Sequence, residues 1–373
     1  MSQNYTLYGT EFSLYTGKAR AYLRYKNIEF NEVFSSLKVY KNIIIPNTGV
    51  RFIPVVKMPD GAYFQDTSAI IDTIEARETE RPVIPIGPKQ KLVSYLFELF
   101  ADEWLVIPAM HYRWNHDNSM QIYREFGQVA FPRMPHFVQN FVGRKLSKKF
   151  SGYLPMLGVN DQTRDAIEQW FEQEVLVQLD AHFAKHRYLL GDAATLGDFA
   201  LMGPLSGHLL HDPAPKKMIL GKAANVVRWD QELKAPPKPV GALPTNDEIP
   251  ETLLPLLTGM FRDQWPVLIN TVAAIAEFYN HQSSHQSAGD NNHKPIPRAL
   301  GECDFTIAGV AGKRKMLSFH QWKVQRVLDC YHSLHGEEKQ SVDTLLHKVG
   351  GFDFMQQQIK HRVKRNNNKL VFE

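Results

Sequence analysis

Cysteine is nearly missing from this chain of 373 residues: Cys303 and Cys330 are the only two, and both come late. A disulfide framework is thereby excluded, and free thiols are expected. No apolar run approaches the roughly 20 residues of a membrane-spanning helix, so no membrane partner is expected. The opening MSQNYTLYG has no basic region followed by an apolar block. It does not read as a signal peptide, and a cytoplasmic location is the expectation. Zinc-ligand spacing, a phosphate-cradling glycine loop and a Ser-His-Asp arrangement are also missing. The 15 histidines are scattered. His281 and His285 stand four apart in a polar loop, and His208 and His211 flank a helix end, so no metal is expected.

The chain is long enough for two domains or more. Its formal net charge of +4 is concentrated at one end, since residues 301–373 hold 12 Lys or Arg against 8 Asp or Glu. The closing KHRVKRNNNK reads as a solvated basic helix end beside a frayed terminus. No RNA-binding signature accompanies it, and nucleic acid is not an expected partner.

Strand-like and helical patterns alternate over the first 80 residues. NYTLY (4–8) is followed by a helix over 13–26 capped by Ser13, then by the alternating run IEFNEVF (28–34). One short helix is expected in SSLKVYKNIIIPNTG, ending before Pro46. The runs FIPVVKM and AYF flank the turn signal Pro59-Asp60-Gly61 and predict a β-hairpin. Asp66 or Thr67 then caps a helix running to about Glu78. Beyond this point helical periodicity dominates, over 88–117, 119–129, 161–186, 195–211 and 226–236. A Pro-rich connector (235–250), a helix over 251–280, a polar loop (281–297) and helices near 317–334 and 338–347 complete the chain.

Proline inside a strand removes a ladder donor, so the Ile53-Pro54 step needs a reason. Followed by a hairpin and by QDTSAI, it resembles the glutathione transferase superfamily, whose Glu-Ser-x-Ala-Ile signature has Asp66 and Thr67 in the first two places. GDAATLGDFALMGPL (191–205) is similar to that family's second signature, with Thr195 and Asp198 at capping-box spacing. The resemblance implies a thioredoxin-like α/β domain (1–80), an all-helical domain (88–236) and an additional, mostly helical C-terminal extension (237–373). It also implies that the proline is cis, exposing the Ile53 backbone to the cysteinyl part of glutathione as an added strand. Asp66 would hold the γ-glutamyl ammonium. Thr67 and the free N–H groups of the helix start would hold its carboxylate.

SLYTGKAR (13–20) resembles the Ser-Pro-x-x-x-Lys-x-Arg pattern of related proteins, without its proline. On that match Ser13 is the hydroxyl that stabilises the glutathione thiolate. Thr10, Tyr8 and Tyr15 are competitors for the role. Lys38, Lys41 and Arg51 are candidates for the glycyl carboxylate, with Arg51 nearest the Ile-Pro step. Met110, Tyr112 and Trp114 are candidates for the wall of an electrophile pocket. No cysteine lies near the motif, so exchange through an enzyme thiol is not expected. The implied function is attack of activated glutathione on a small electrophile, a detoxification chemistry, by a homodimer. Glutathione-dependent reduction or isomerisation is the enzymatic alternative. A non-catalytic glutathione-binding or scaffolding role is the other.

Overall fold

The computed structural model describes residues 4–283 and 294–373. A four-stranded mixed sheet opens the chain, in the order β2-β1-β3-β4. Its strands are β1 (Tyr5–Gly9), β2 (Phe30–Phe34), β3 (Val55–Lys57) and β4 (Tyr63–Gln65). β1 and β2 run parallel across the helix α1 (Leu14–Tyr25), and β3 pairs antiparallel with both β1 and β4. This is the thioredoxin-like order, closed by α4 (Thr67–Glu75). α1 turns Ala19, Tyr22 and Leu23 inward, the face its apolar spacing foretold.

The segment before β3 departs from expectation. Two short helices, α2 (Leu37–Val39) and α3 (Ile45–Thr48), flank a wider π turn over Tyr40–Ile44. The helical run does not stop before Pro46. That proline is the second residue of α3, directly after the π turn, inside the continuous helical run.

Nine helices of the second domain follow: α5 (Pro88–Glu103), α6 (Val106–Asn115), α7 (Ser119–Ala130), α8 (His136–Ser151), α9 (Arg164–Gln169), α10 (Leu176–Lys185), α11 (Leu196–Pro204), α12 (Pro213–Lys222) and α13 (Ala224–Lys234). The single helix expected over 88–117 is broken at Trp104–Leu105 into α5 and α6. The capping box at the start of α11 is formed, with Thr195 and Asp198 bonding each other's backbone. Asp198 is fully buried and also accepts from Leu189 N at 2.9 Å and Trp229 Nε1 at 3.1 Å. Burial pushes its pKa up to about 6 against those donors.

The Pro-rich connector is extended, yet pinned. Asp247 Oδ2 and Oδ1 accept from Lys89 N at 2.6 Å and Gln90 N at 2.9 Å, capping α5 from 157 residues away. Beyond it lie α14 (Leu254–Gly259), α15 (Trp265–Ser283), β5 (Ala299–Ile307), β6 (Val310–Leu317), α16 (Phe319–His332), α17 (Gly336–Lys348), α18 (Phe352–Met355), β7 (Val363–Asn366) and β8 (Lys369–Phe372). The extension is therefore not only helical but carries two hairpins, β5-β6 and β7-β8. The basic end expected as a frayed helix is the second of them. Asn367 and Asn368, at φ 47° and 59°, make the two-residue turn that suits a right-twisted hairpin. Most of the polar stretch 281–297, including His285, lies outside the described residues.

α16 packs against α5, and Val324, Val327 and Leu328 share one core with Leu92, Leu96 and Leu99. α16 thus ties the extension to the main core, while Ile275, Ile296, Val363, Leu370 and Phe372 form a small cluster of the extension's own. Among the described residues, no helix is long and apolar enough to cross a membrane.

Candidate functional site

Strand register brings the expected residues to one edge of the sheet. Tyr8 pairs with Val55, and Val55 pairs with Gln65. The residues just beyond these pairs, Gly9 to Ser13 on one side, Ile53-Pro54 in the middle and Asp66 on the other, therefore share that edge. The Ile53-Pro54 bond is cis, as the resemblance implies. Ile53 is half-buried, whereas Arg51, Lys38 and Lys41 are exposed.

Ser13 is the N-cap of α1, its Oγ accepting from Thr16 N at 3.3 Å. A serine hydroxyl has two acceptor lone pairs and one proton to donate. Capping uses an acceptor only, so the O–H remains for a ligand. The competing hydroxyls are differently committed. Tyr15 donates to Asp102 O at 2.9 Å, and burial holds its phenol well above the usual range. Tyr8 stacks against Tyr63 and is raised by burial and then by that neighbour. Thr10 is buried. Gly9 is required here, because a Cβ would collide with the Thr16 side chain.

Asp66 has the backbone angles φ 77° and ψ 135°, uncommon for a residue with a side chain. That turn carries its carboxylate over the start of α4, where Oδ1 accepts from Ser68 N at 2.9 Å and Ala69 N at 3.3 Å. The two amides expected to receive a ligand carboxylate are thus occupied by Asp66 itself. Thr67 is buried, and its Oγ1 has no partner among the described residues.

A buried ionic cluster borders this edge, and sequence reasoning missed it. Lys18 Nζ lies 2.7 Å from both Glu98 Oε1 and Asp102 Oδ2, with no side-chain exposure. Lys323, from α16, reaches the same Asp102 oxygen at 2.7 Å and donates to Ser68 Oγ. Ser68 donates onward to Glu98 at 2.5 Å. Arg326 completes the group, bonding Asp72 and lying 3.3 Å from Glu98 Oε2. Burial would raise Glu98, but Lys18, Lys323 and Arg326 together hold it well below the carboxylate range. Glu98, Asp102, Lys18 and Lys323 form the buried part of this seam, so removal of any one of these four leaves a buried charge short of a partner, while Asp72 answers Arg326 at the exposed rim.

The extension touches the edge at further points. Arg365 Nη2 donates to Gln65 Oε1 at 2.7 Å, one residue before Asp66, and Asn368 Nδ2 donates to Thr48 O at 2.9 Å. Arg298 stands over the Phe52 ring at 5.8 Å. Of the proposed pocket wall, Tyr112 is core instead: it is buried and donates to Glu172 at 2.5 Å. Cys303 lies in β5 and Cys330 in α16, and burial raises both thiols, Cys330 to about 11. Sequence spacing also failed to single out a cluster of His111, His116 and Glu168 on the helical domain.

Residues 7–82 match the family model described as the glutathione S-transferase N-terminal domain. That stretch of the chain is therefore similar to a glutathione S-transferase N-terminal domain. Solved structures similar to the chain include a glutathione S-transferase from Rhodospirillum rubrum, 15% identical, covering 66% of this chain and 96% of that one, with TM-score 0.42. Another is the β-etherase LigF from Sphingobium, 15% identical over 64% of this chain and 96% of that one, with TM-score 0.46. A third, from Methylobacillus flagellatus with GSH bound, is 16% identical over 61% and 94%, with TM-score 0.36. No curated protein matches the chain.

Proposed function

We propose that this transferase-like protein binds glutathione at the edge formed by Ser13, Ile53-Pro54 and Asp66, and activates its thiol for attack on a small electrophile. Residues 1–80 act as the glutathione-binding domain, 88–236 as the helical domain beside it, and 237–373 as an extension that braces the seam between them. Ser13 O–H donates to the thiolate. The Ile53 backbone pairs with the cysteinyl residue. Asp66 attracts the γ-glutamyl ammonium, and the unpartnered Thr67 Oγ1 is offered to that group's carboxylate. Arg51 is the exposed cation for the glycyl end.

The observation that carries this reading is the state of Ser13: a half-buried helix cap whose donor proton is uncommitted, beside the α1 N-terminus. A free thiol titrates near 8.5, and each unit of lowering corresponds to about 1.4 kcal/mol. One hydroxyl donor and a helix N-terminus supply stabilisation of that order.

The test is calorimetric titration of glutathione into the intact chain, followed by ultraviolet titration of the bound thiol. Saturable binding with a lowered thiol pKa is expected, and Ser13→Ala should return that pKa towards the free value while binding survives. Absence of saturable heat at high glutathione overturns the reading. Binding with an unperturbed thiol instead supports the scaffolding alternative. The contacts of Lys323 and Arg365 on either side of Asp66 favour that second reading.

A further inference from the structure

α6 ends at Asn115, and its C-cap His116 has the extended angles φ −107° and ψ 170°. Residues five apart on a continuous helix point about 140° away from each other. His116 follows Tyr112 by one turn, and its ring, at the point where the chain leaves the helix, stacks on that phenol at 4.8 Å between centroids. It then meets His111, whose ring lies 5.5 Å away. α9 supplies the third group. Glu168 Oε1 stands 2.8 Å from His111 Nε2 and 2.9 Å from His116 Nε2.

We propose that His111, His116 and Glu168 bind a zinc ion. All three donor atoms lie within 4.8 Å of one another. Two imidazoles and one carboxylate are a donor set that suits borderline-soft zinc, with a fourth position left for water. Tetrahedral zinc holds its ligand atoms about 3.3 Å apart, so the two His–Glu distances need open by only about half an ångström, while the two ring nitrogens already lie within 4.8 Å of each other. His111 is almost wholly buried, while His116 and Glu168 are about one-third exposed, at 31% and 34%. The ion therefore has a route in, a mobile carboxylate to close on it, and access to a solvent ligand.

The second ring nitrogen of His111 has a partner that can serve either tautomer. His111 Nδ1 lies 2.9 Å from the Asn115 side-chain amide. As placed, Asn115 Nδ2 donates to Nδ1 and Nε2–H faces Glu168; zinc at Nε2 would displace that proton, with the amide turned so that its oxygen accepts from Nδ1–H. Arg164, one turn before Glu168, directs its charge to Asp161 at 3.3 Å and Asp165 at 3.9 Å. Such an ion would tie the end of α6 to α9.

An isolated His–Glu pair, His211 Nε2 and Glu125 Oε1 at 2.9 Å, provides the control. The experiment is titration of zinc chloride into the metal-stripped full chain lacking any affinity histidines, by calorimetry and by thermal midpoint. One equivalent binding at micromolar affinity or tighter, with a raised midpoint, is expected. His116→Ala and Glu168→Gln should each abolish that equivalent, and Asn115→Ala should weaken it about tenfold. His211→Ala should leave it intact. Cobalt chloride in place of zinc should give the intense visible bands of a tetrahedral site, lost in His116→Ala. Failure to bind one equivalent, or binding that survives His116→Ala and Glu168→Gln, overturns the proposal. Neither readout involves glutathione.

Discussion

Lys323 places its ammonium 2.7 Å from Asp102 Oδ2, although the two residues stand 221 positions apart in the chain. The same oxygen is held at 2.7 Å by Lys18 of the first helix. One carboxylate of α5 thus joins the thioredoxin-like domain, the helical domain and the extension. Lys323→Ala should destabilise the protein by about 3–5 kcal/mol, because it leaves the Glu98–Asp102 pair short of a cation in a buried site. Denaturant unfolding of the variant checks this. A loss under about 1 kcal/mol would show that water replaces the ammonium.

Asp66 has two roles that one pair of substitutions separates. Asp66→Ala removes both the cap on α4 and the negative charge. Asp66→Asn keeps an oxygen for Ser68 N and Ala69 N and removes only the charge. The alanine variant should lose about 1 kcal/mol of stability, and the asparagine variant less than half of that. Glutathione affinity should fall at least tenfold in both. Calorimetry alongside thermal unfolding makes the comparison. Unchanged affinity in Asp66→Asn would remove Asp66 from the ammonium site.

Asp247 caps α5 from the Pro-rich connector. Its replacement by alanine should cost about 1–2 kcal/mol, as for an ordinary N-cap, despite the distance along the chain. Limited proteolysis should cut the connector faster in that variant.

His182 gives the protein an acid-sensitive point. Its Nδ1 faces Thr252 Oγ1 at 2.7 Å and its Nε2 faces Tyr188 O at 3.2 Å, so the neutral ring is fully bonded. Burial lowers its pKa from 6.5 to about 4, and nearby His186 adds to the lowering. In the pH window between these values the unfolded chain binds the extra proton. Stability from this residue is therefore complete above 6.5 and is lost as pH falls towards 4, by roughly 3 kcal/mol in all. His182→Gln should flatten that part of the stability profile, measured by urea unfolding at a series of pH values.

Local patterns were legible in the sequence, and distant partnerships were not. Alternating residues and the Pro59-Asp60-Gly61 turn foretold the order of the first domain, since both signals act over a few residues. The Asp66 cap and the Thr195–Asp198 box were readable for the same reason. Lys323 was invisible as a member of the seam, because an ion pair across 221 residues leaves no periodic trace. The β7-β8 hairpin was masked by its lysines and arginines, although Asn367-Asn368 is a legitimate two-residue turn signal. His111 and His116 have no helical-face spacing, and Glu168, which faces both, stands 57 and 52 residues away along the chain.

The seam also orders events during synthesis. Asp102 emerges 221 residues ahead of Lys323, and Lys18 earlier still. Until α16 has been made, the acidic pair of α5 has one ammonium to answer it instead of two, with Arg326 also missing. Up to that point the joint between the two leading domains rests on Lys18 and on apolar contacts such as Tyr22 against Phe199. The extension therefore acts as a late-arriving clamp, adding its two cations to a joint that the leading domains have already begun to form.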